Sequence, residues 1–151
     1  MTDVAIQKCL TDTFNTLNEF SGKNYLTKDA HGKITNTAYP NSAFNIPADN
    51  RFFVLSFLPA APSMAANFED AQDRYTGLFQ IDVMTPIDKG ESEADTKYNW
   101  ISKLFARGKA LCDNNVLVDI TKCYRASVET ESTYYRTVIR IEWTADIDKQ
   151  E

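Results

Sequence analysis

The first regular pattern in the chain is helical. Near its start, apolar residues lie four, four and three positions apart and share one helix face: Ile6, Leu10, Phe14 and Leu17. Asp3 is placed to cap the first turn, and Gly22 follows the last apolar position, as glycine commonly does beyond a helix end. The pattern therefore predicts one helix that ends shortly before Gly22.

A second helical pattern lies beyond the middle of the chain. Its apolar stripe is formed by Ala94, Tyr98, Ile101 and Phe105. Ser92 and Asp95 have the spacing of a capping box at the start, and Gly108 is placed to end the helix. Trp100 lies off the stripe, which places it either at an interface or on a widened core face.

Five other segments have the alternation or the apolar run of β-strands: 51–58, 75–84, 116–120, 126–130 and 134–144. A further short strand is predicted near 34–38. In 51–58 apolar residues occupy both alternating sets of positions, which predicts that both faces are covered. In 75–84 the polar residues Gln80 and Asp82 alternate with apolar ones, which predicts one buried face and one face in water.

The order helix, strand, strand, helix and three strands predicts an α+β fold. We expect a mostly antiparallel sheet of about four to six strands, with two main helices packed on one face. No repeat, low-complexity segment or glycine-rich linker interrupts the chain, so 1–151 is predicted to be a single domain.

Two long connections, 21–50 and 59–74, are predicted as loops. The second joins two strands that would otherwise form a hairpin, and hairpin loops usually have about 2–5 residues. It carries Met64 and Phe68, apolar residues that a merely solvated loop does not need. Two alternatives follow: a short helix near 65–71 that packs on its own domain, or an extended arm that contacts another subunit. Residues 145–151 are predicted to form a flexible acidic tail.

Composition limits the classes of function. The chain has 151 residues, 43% of them hydrophobic, and a formal net charge of −5, which favours a folded domain over a disordered chain. Its longest apolar stretch is shorter than the ~20 residues that cross a bilayer, and no secretory signal is predicted. The negative overall charge argues against nucleic acid as the main partner. Segment 100–140 has a net charge of +3 and 141–151 one of −3, which suits contact between copies of the chain or a solvated surface.

No arrangement of residues for catalysis is predicted. The single histidine, His31, lies in a DAHGK segment typical of a turn. Cys9, Cys112 and Cys123 are odd in number and widely spaced, which predicts reduced thiols in a cytoplasm, with Cys9 and Cys112 as small buried apolar groups. The acidic residues in 88–95 lack calcium-loop spacing and suit a helix start. We therefore predict no catalytic, metal-binding or cofactor-binding residues.

Several segments resemble a phage protein family. They are YTGLFQIDVMTP at 75–86 with Lys89-Gly90, and KLFARG at 103–108. AYPN at 38–41, FLPA at 57–60 and RIEW at 140–143 extend the likeness to about residues 1–145. The chain resembles the tail terminator-like proteins of long-tailed bacteriophages, which are related to the minor tail protein U of lambda-type phages.

The resemblance implies a non-enzymatic α+β virion protein, made in the host cytoplasm, that forms a hexameric ring at the head-proximal end of the tail. Such a ring stops tail tube polymerisation and joins the head connector, so the implied partners are copies of the chain, the tube protein and head–tail connector proteins. The alternatives are another neck component or, from a different class, a small-molecule enzyme or binding module using His31 and a cleft near Tyr39. The family has no active-site motif to transfer. From the loops themselves we predict subunit or tube contacts at Met64, Phe68, Pro86, Asp88 and Lys89.

Overall fold

The computed structural model describes residues 2–60, 63–64, 73–112 and 117–147. Its helices are α1 (Thr2–Phe14), α2 (Leu17–Ser21) and α3 (Ser92–Leu104). Its strands are β1 (Thr37–Ala38), β2 (Phe52–Pro59), β3 (Ser63–Met64), β4 (Asp73–Pro86), β5 (Ala110–Leu111), β6 (Val118–Thr130) and β7 (Tyr134–Ile147). None of the helices in this part of the chain has the length and apolar character needed to cross a membrane.

The strands form one mixed sheet that is curled into a half-barrel. Their order is β1-β2-β4-β7-β6-β5, and β3 pairs with β4 beside this path. β1 runs parallel to β2, whereas the other described pairs are antiparallel. The predicted α+β class is confirmed, but the mostly antiparallel sheet with helices layered on one face is corrected. Periodicity predicts which face of a strand is buried, whereas the direction of its neighbour and the curvature of the sheet depend on tertiary contacts.

The core lies between the helices and the odd-numbered positions of the central strands. Phe14 of α1 contacts Phe53 of β2, with ring centroids 5.4 Å apart. Phe105, directly after α3, contacts Phe79 of β4 at 5.9 Å. The largest fully buried side chains are Trp143, Phe14, Phe53, Phe79, Phe105, Ile6, Leu10, Leu17, Ile81, Ile101, Ile120 and Ile139. The helical stripes predicted from the sequence therefore supply much of this core.

The first predicted helix is in fact two helices, separated by Asn15 and Thr16. Thr16 Oγ1 donates a hydrogen bond to the carbonyl oxygen of Thr13, a local bond that competes with continued helix. Asn15 Oδ1 accepts a hydrogen bond from the Tyr39 hydroxyl at 2.8 Å, which ties the break to a distant loop. Gly22 follows α2 with a φ of 71°, so the predicted end of the helical region is confirmed.

α3 confirms the second predicted helix but not its predicted cap. Glu91 occupies the N-cap position without a side-chain capping hydrogen bond, and Ser92 is already helical. Asp95 instead forms an ion pair with Arg125 at 2.8 Å. The predicted Ser92–Asp95 capping box is therefore wrong, because a tertiary partner takes the carboxylate. Gly108 has a φ of 85° but lies in the turn beyond the helix.

Two segments were predicted as separate strands, 116–120 and 126–130. Residues 118–120 of the first and all of the second belong to one long strand, β6, while residue 116 lies outside the described residues. The register of β6 against β7 shifts between Ile120 and Lys122 and again between Arg125 and Ser127. Each irregularity exchanges the side chains between the two faces, which interrupts the alternating pattern that a sequence-based prediction uses.

The cysteines differ from the prediction. Cys9 of α1 and Cys112, which follows β5, form a disulfide with Cα atoms 6.1 Å apart and a sequence separation of 103. The expectation that both are small buried thiols is therefore wrong, because the fold brings α1 beside the end of β5. Cys123 is free and half-buried, and burial raises the pKa of its thiol to about 11.

Candidate protein interface

The even-numbered positions of β2, β4 and β7 form a surface that we call the polar face. Across the strands, Ser56 is in register with Gln80, and Gln80 with Arg140. One row further along, Leu58 pairs with Leu78. Leu58 is 51% exposed, so the prediction that both faces of this strand are covered is wrong at the end of β2.

A ladder of hydrogen bonds crosses the polar face. Gln80 Nε2 donates to Asp82 Oδ1 at 3.0 Å, and Arg136 Nη1 donates to Asp82 Oδ2 at 3.2 Å. Arg140 Nε donates to Gln80 Oε1 at 3.2 Å. Both carboxylate oxygens of Asp82 are thus engaged by side chains on neighbouring positions, which favours a structural role for this group.

Asp82 is buried within this ladder, with 3% of its surface exposed. Burial raises the pKa of its carboxyl group, while the hydrogen bond from Gln80 and the charge of Arg136 act in the opposite direction. The group is more easily protonated than a free aspartate, but its oxygens point to partners within the sheet and not into a cavity.

The predicted contact residues lie in two separate places. Met64 ends β3, whose pairing with β4 is at Asp73, whereas Pro86 ends β4 and pairs with Tyr134. The two ends of β4 are roughly 40 Å apart along the strand, at ~3.3 Å per residue. Met64 therefore cannot belong to the same contact as the turn after Pro86. Phe68 lies outside the described residues.

The turn after β4 and the tip of the β6–β7 hairpin together form a surface that we call the acidic end. The Ile87 amide donates to the Thr133 carbonyl oxygen at 3.3 Å, which holds the two loops side by side. Asp88, Glu91 and Glu129 are exposed here, together with Lys89. The predicted contact residues Asp88 and Lys89 thus lie on an acidic surface shared by two loops.

A second charged surface, which we call the basic end, lies where α2 meets the end of α3. The rings of Phe20 and Trp100 meet edge to face with centroids 6.1 Å apart, and Phe20 is 42% exposed. Lys103 Nζ lies 4.7 Å from the Trp100 ring centroid, and Lys109 Nζ lies 5.0 Å from that of Phe20. Arg107, two residues before Lys109 in the chain, is also exposed. A partly exposed aromatic pair beneath two ammonium groups is typical of a protein-binding surface.

Sequence analysis identified only part of the basic end. Trp100 was placed off the helical stripe, and the structure puts it half-buried beside Phe20. Phe20 and Lys109 gave no usable signal, because they come close to Trp100 and Lys103 only through the packing of α2 against α3.

A cleft of about 490 Å³ lies between the segments 29–37 and 39–47. Tyr39, Phe44 and Ile46 line it, but His31 does not. Asp29 Oδ1 accepts hydrogen bonds from the backbone N–H groups of His31 and Lys33, which is the arrangement of an Asx-type turn. The cleft therefore lacks the histidine on which a small-molecule function would depend. Within the part of the chain that the structure describes, no group of three or more potential metal ligands occurs.

Comparison with known proteins gives one family. A family model described as phage tail terminator protein matches residues 23–143. One similar solved structure has a TM-score of 0.68 and 18% sequence identity, over 95% of this chain and 98% of that chain. At this identity the likeness shows the fold alone. No curated protein matches the chain.

The match extends from the residue after Gly22 into β7, and so covers most of the polar face, the acidic end, and the basic end apart from Phe20. It agrees with the resemblance inferred from the strand, turn and helix motifs. The chain belongs to the phage tail terminator protein family, a family of structural proteins of the phage tail.

Proposed function

We propose that this protein forms a ring at the head-proximal end of a phage tail, where it stops tube polymerisation and presents the surface that joins the head. The observation that carries the proposal is the family match over residues 23–143. A closed ring can bind the last subunits of a tube through one side and offer no tube-like surface for another layer on the other. We also propose that the role is structural and not catalytic.

The geometry of the described residues supports this role. The polar face carries its hydrogen-bond ladder on a strongly paired central sheet, so it can meet another protein without rearrangement. The two charged ends offer further contact surfaces. Met64 and Phe68 stay predicted contacts with a neighbouring subunit or with the tube, as do Pro86, Asp88 and Lys89.

The experiment that tests the proposal is tail morphology in a phage that lacks this gene. Without a terminator, we expect tubes of variable length above the normal value and few joined particles in electron micrographs. Supplying the protein from a plasmid should restore uniform length. Tails of normal length that fail to join heads would instead support the alternative, another neck component.

Native mass measured by light scattering after size exclusion gives independent information on the ring. For a subunit of 17.1 kDa, a ring predicts a mass that rises with protein concentration toward six subunits. A mass of one subunit at every concentration would limit the proposal to a ring that assembles only on the tail.

A further inference from the structure

The acidic and basic ends lie at opposite ends of the same two elements. α3 begins beside the acidic turn and ends at the basic end, about 20 Å away for a helix of 13 residues. β6 runs the other way: the Lys109 carbonyl oxygen accepts from the Ile120 amide near its start, and Glu129 lies near its end. The two surfaces are therefore distinct and well separated.

The charges of the basic end are not neutralised by ion pairs within the described part of the chain. Lys103, Lys109 and Arg107 form no ion pair with any carboxylate in the part of the chain that the structure describes. The lysines lie over Trp100 and Phe20, whose rings stabilise the charges only in part. This surface therefore suits a partner that brings carboxylates and covers an exposed ring.

At the acidic end, the carboxylates divide into two groups. Glu93 and Asp95, in the first turn of α3, form ion pairs with Arg51 at 2.6 Å and Arg125 at 2.8 Å. Asp88, Glu91 and Glu129 form no ion pair among the described residues. The internal cations are thus used by the first group. The second group is exposed, and Glu91 also has a hydrogen bond with the Tyr135 side chain.

We propose that the basic end of one copy binds the acidic end of the next copy, so that the chain associates head to tail. This inference rests on the proposed function, because it names the contact that builds the ring. Two different surfaces that recognise each other give a heterologous contact, which closes into a ring when the rotation per subunit allows it. Opposite charges steer the subunits together, and Phe20 and Trp100 supply the apolar centre of the contact.

Charge reversal tests the contact. The basic-end variant carries Lys103→Glu and Lys109→Glu, and the acidic-end variant carries Glu91→Lys and Glu129→Lys. Each variant alone faces itself with like charges, so we expect self-association at least about tenfold weaker than in the unmodified protein. The matched control, Lys28→Glu with Lys33→Glu, makes the same charge change at two exposed residues outside both ends and should associate normally.

Mixing the two variants gives the decisive result. In an equimolar mixture the reversed basic end meets the reversed acidic end, and the two native ends also meet, so oligomers with alternating subunits should form again. Native mass spectrometry of isotopically distinguished variants reads out this alternation. Circular dichroism of each variant checks that the fold is retained.

Three outcomes in solution overturn the inference. If the unmodified protein assembles and either variant assembles equally well, the head-to-tail contact is wrong while the proposed ring stands. If the unmodified protein stops at a dimer at all concentrations, the contact is two-fold symmetric and not head to tail. Failure of the mixture to assemble, with both variants folded, also contradicts the inference.

If the unmodified protein is monomeric in solution, the same variants are tested on tails. In a phage that lacks the gene, the control should restore uniform tails, each single variant should fail, and co-expression of the two variants should restore them. Restoration by a single variant would overturn the contact. Failure of the unmodified protein itself to change tail length would overturn the proposed function instead.

Discussion

Consecutive residues of β4 lie in two different kinds of surroundings. Phe79 and Ile81 are 0% exposed and pack on apolar side chains, whereas Gln80 and Asp82 between them take part in the ladder of the polar face. Burial does not distinguish the two sides, since Asp82 is only 3% exposed. The difference is chemical. One side is held by apolar packing, and the other by hydrogen bonds whose partners can be replaced by water or by another protein.

The largest expected effect comes from truncation on the core side. Phe79→Ala removes a ring that packs against Phe105, and we expect the free energy of unfolding to fall by about 3–5 kcal/mol. Gln80→Ala, the neighbour on the polar face, should lower it by about 1 kcal/mol. Urea denaturation followed by circular dichroism measures both. Equal losses would show that the two faces of β4 are not energetically different.

The disulfide anchors α1 on the core side, so its loss gives the next largest effect. In oxidising buffer, Cys112→Ser should lower the free energy of unfolding by about 2–4 kcal/mol, because the disulfide links residues separated by 103 positions. Cys123→Ser is the control, since it removes a thiol that is not in the disulfide. Reductant should abolish most of the difference between Cys112→Ser and the unmodified protein. Unchanged stability in both buffers would contradict the pairing.

Gly77 lies where β4 approaches β2 and the Trp143 ring closely, and replacing it with alanine tests how tight this approach is. A Cβ atom there would lie 2.6 Å from the Leu58 carbonyl oxygen and 2.8 Å from the Trp143 ring. Because the first of these is backbone and the second is a buried ring, Gly77→Ala should destabilise the fold by about 1–3 kcal/mol. Thermal unfolding measures the change, and Gly90→Ala is not a suitable control because its φ of 80° adds strain of its own. Thr76→Ala, next in the strand, serves instead.

The smallest effect concerns pH and the polar face. The folded-state pKa of Asp82 is raised, so the folded protein binds this proton more tightly than the unfolded chain does. The contribution of Asp82 to stability should therefore rise as pH falls from neutral toward its ordinary pKa of 3.8. Asp82→Asn should flatten that part of the stability profile relative to that of the unmodified protein. A steeper profile for Asp82→Asn would contradict the assigned direction.

Periodicity in the sequence determined much of the secondary structure. The core stripe of α3, the alternation of β4 and β7, and the helix end at Gly22 follow from local spacing, because the side-chain repeats of helices and strands depend only on the backbone. The family resemblance could be inferred for the same reason, since its motifs lie on these regular elements. The sequence also indicated the turn of the acidic end, because residues 86–91 lie between a predicted strand and a predicted helix.

Only the tertiary structure decided the remaining features. Tyr39 reaches Asn15 at the break between α1 and α2, and Arg125 takes Asp95 from its predicted cap. Lys97 is 6% exposed, and its ammonium nitrogen lies 5.5 Å from the centroid of the Phe53 ring. From the sequence alone, the charged end of a lysine in a helix is expected to lie in water.

The pairing of Cys9 with Cys112 and the meeting of Phe20 with Trp100 likewise join residues far apart in the chain. Local spacing carries no information about which distant elements become neighbours. The sequence therefore determined the core stripe of α3 and the buried sides of β4 and β7, whereas the packing of distant elements determined the disulfide, the polar ladder and the aromatic pair of the basic end.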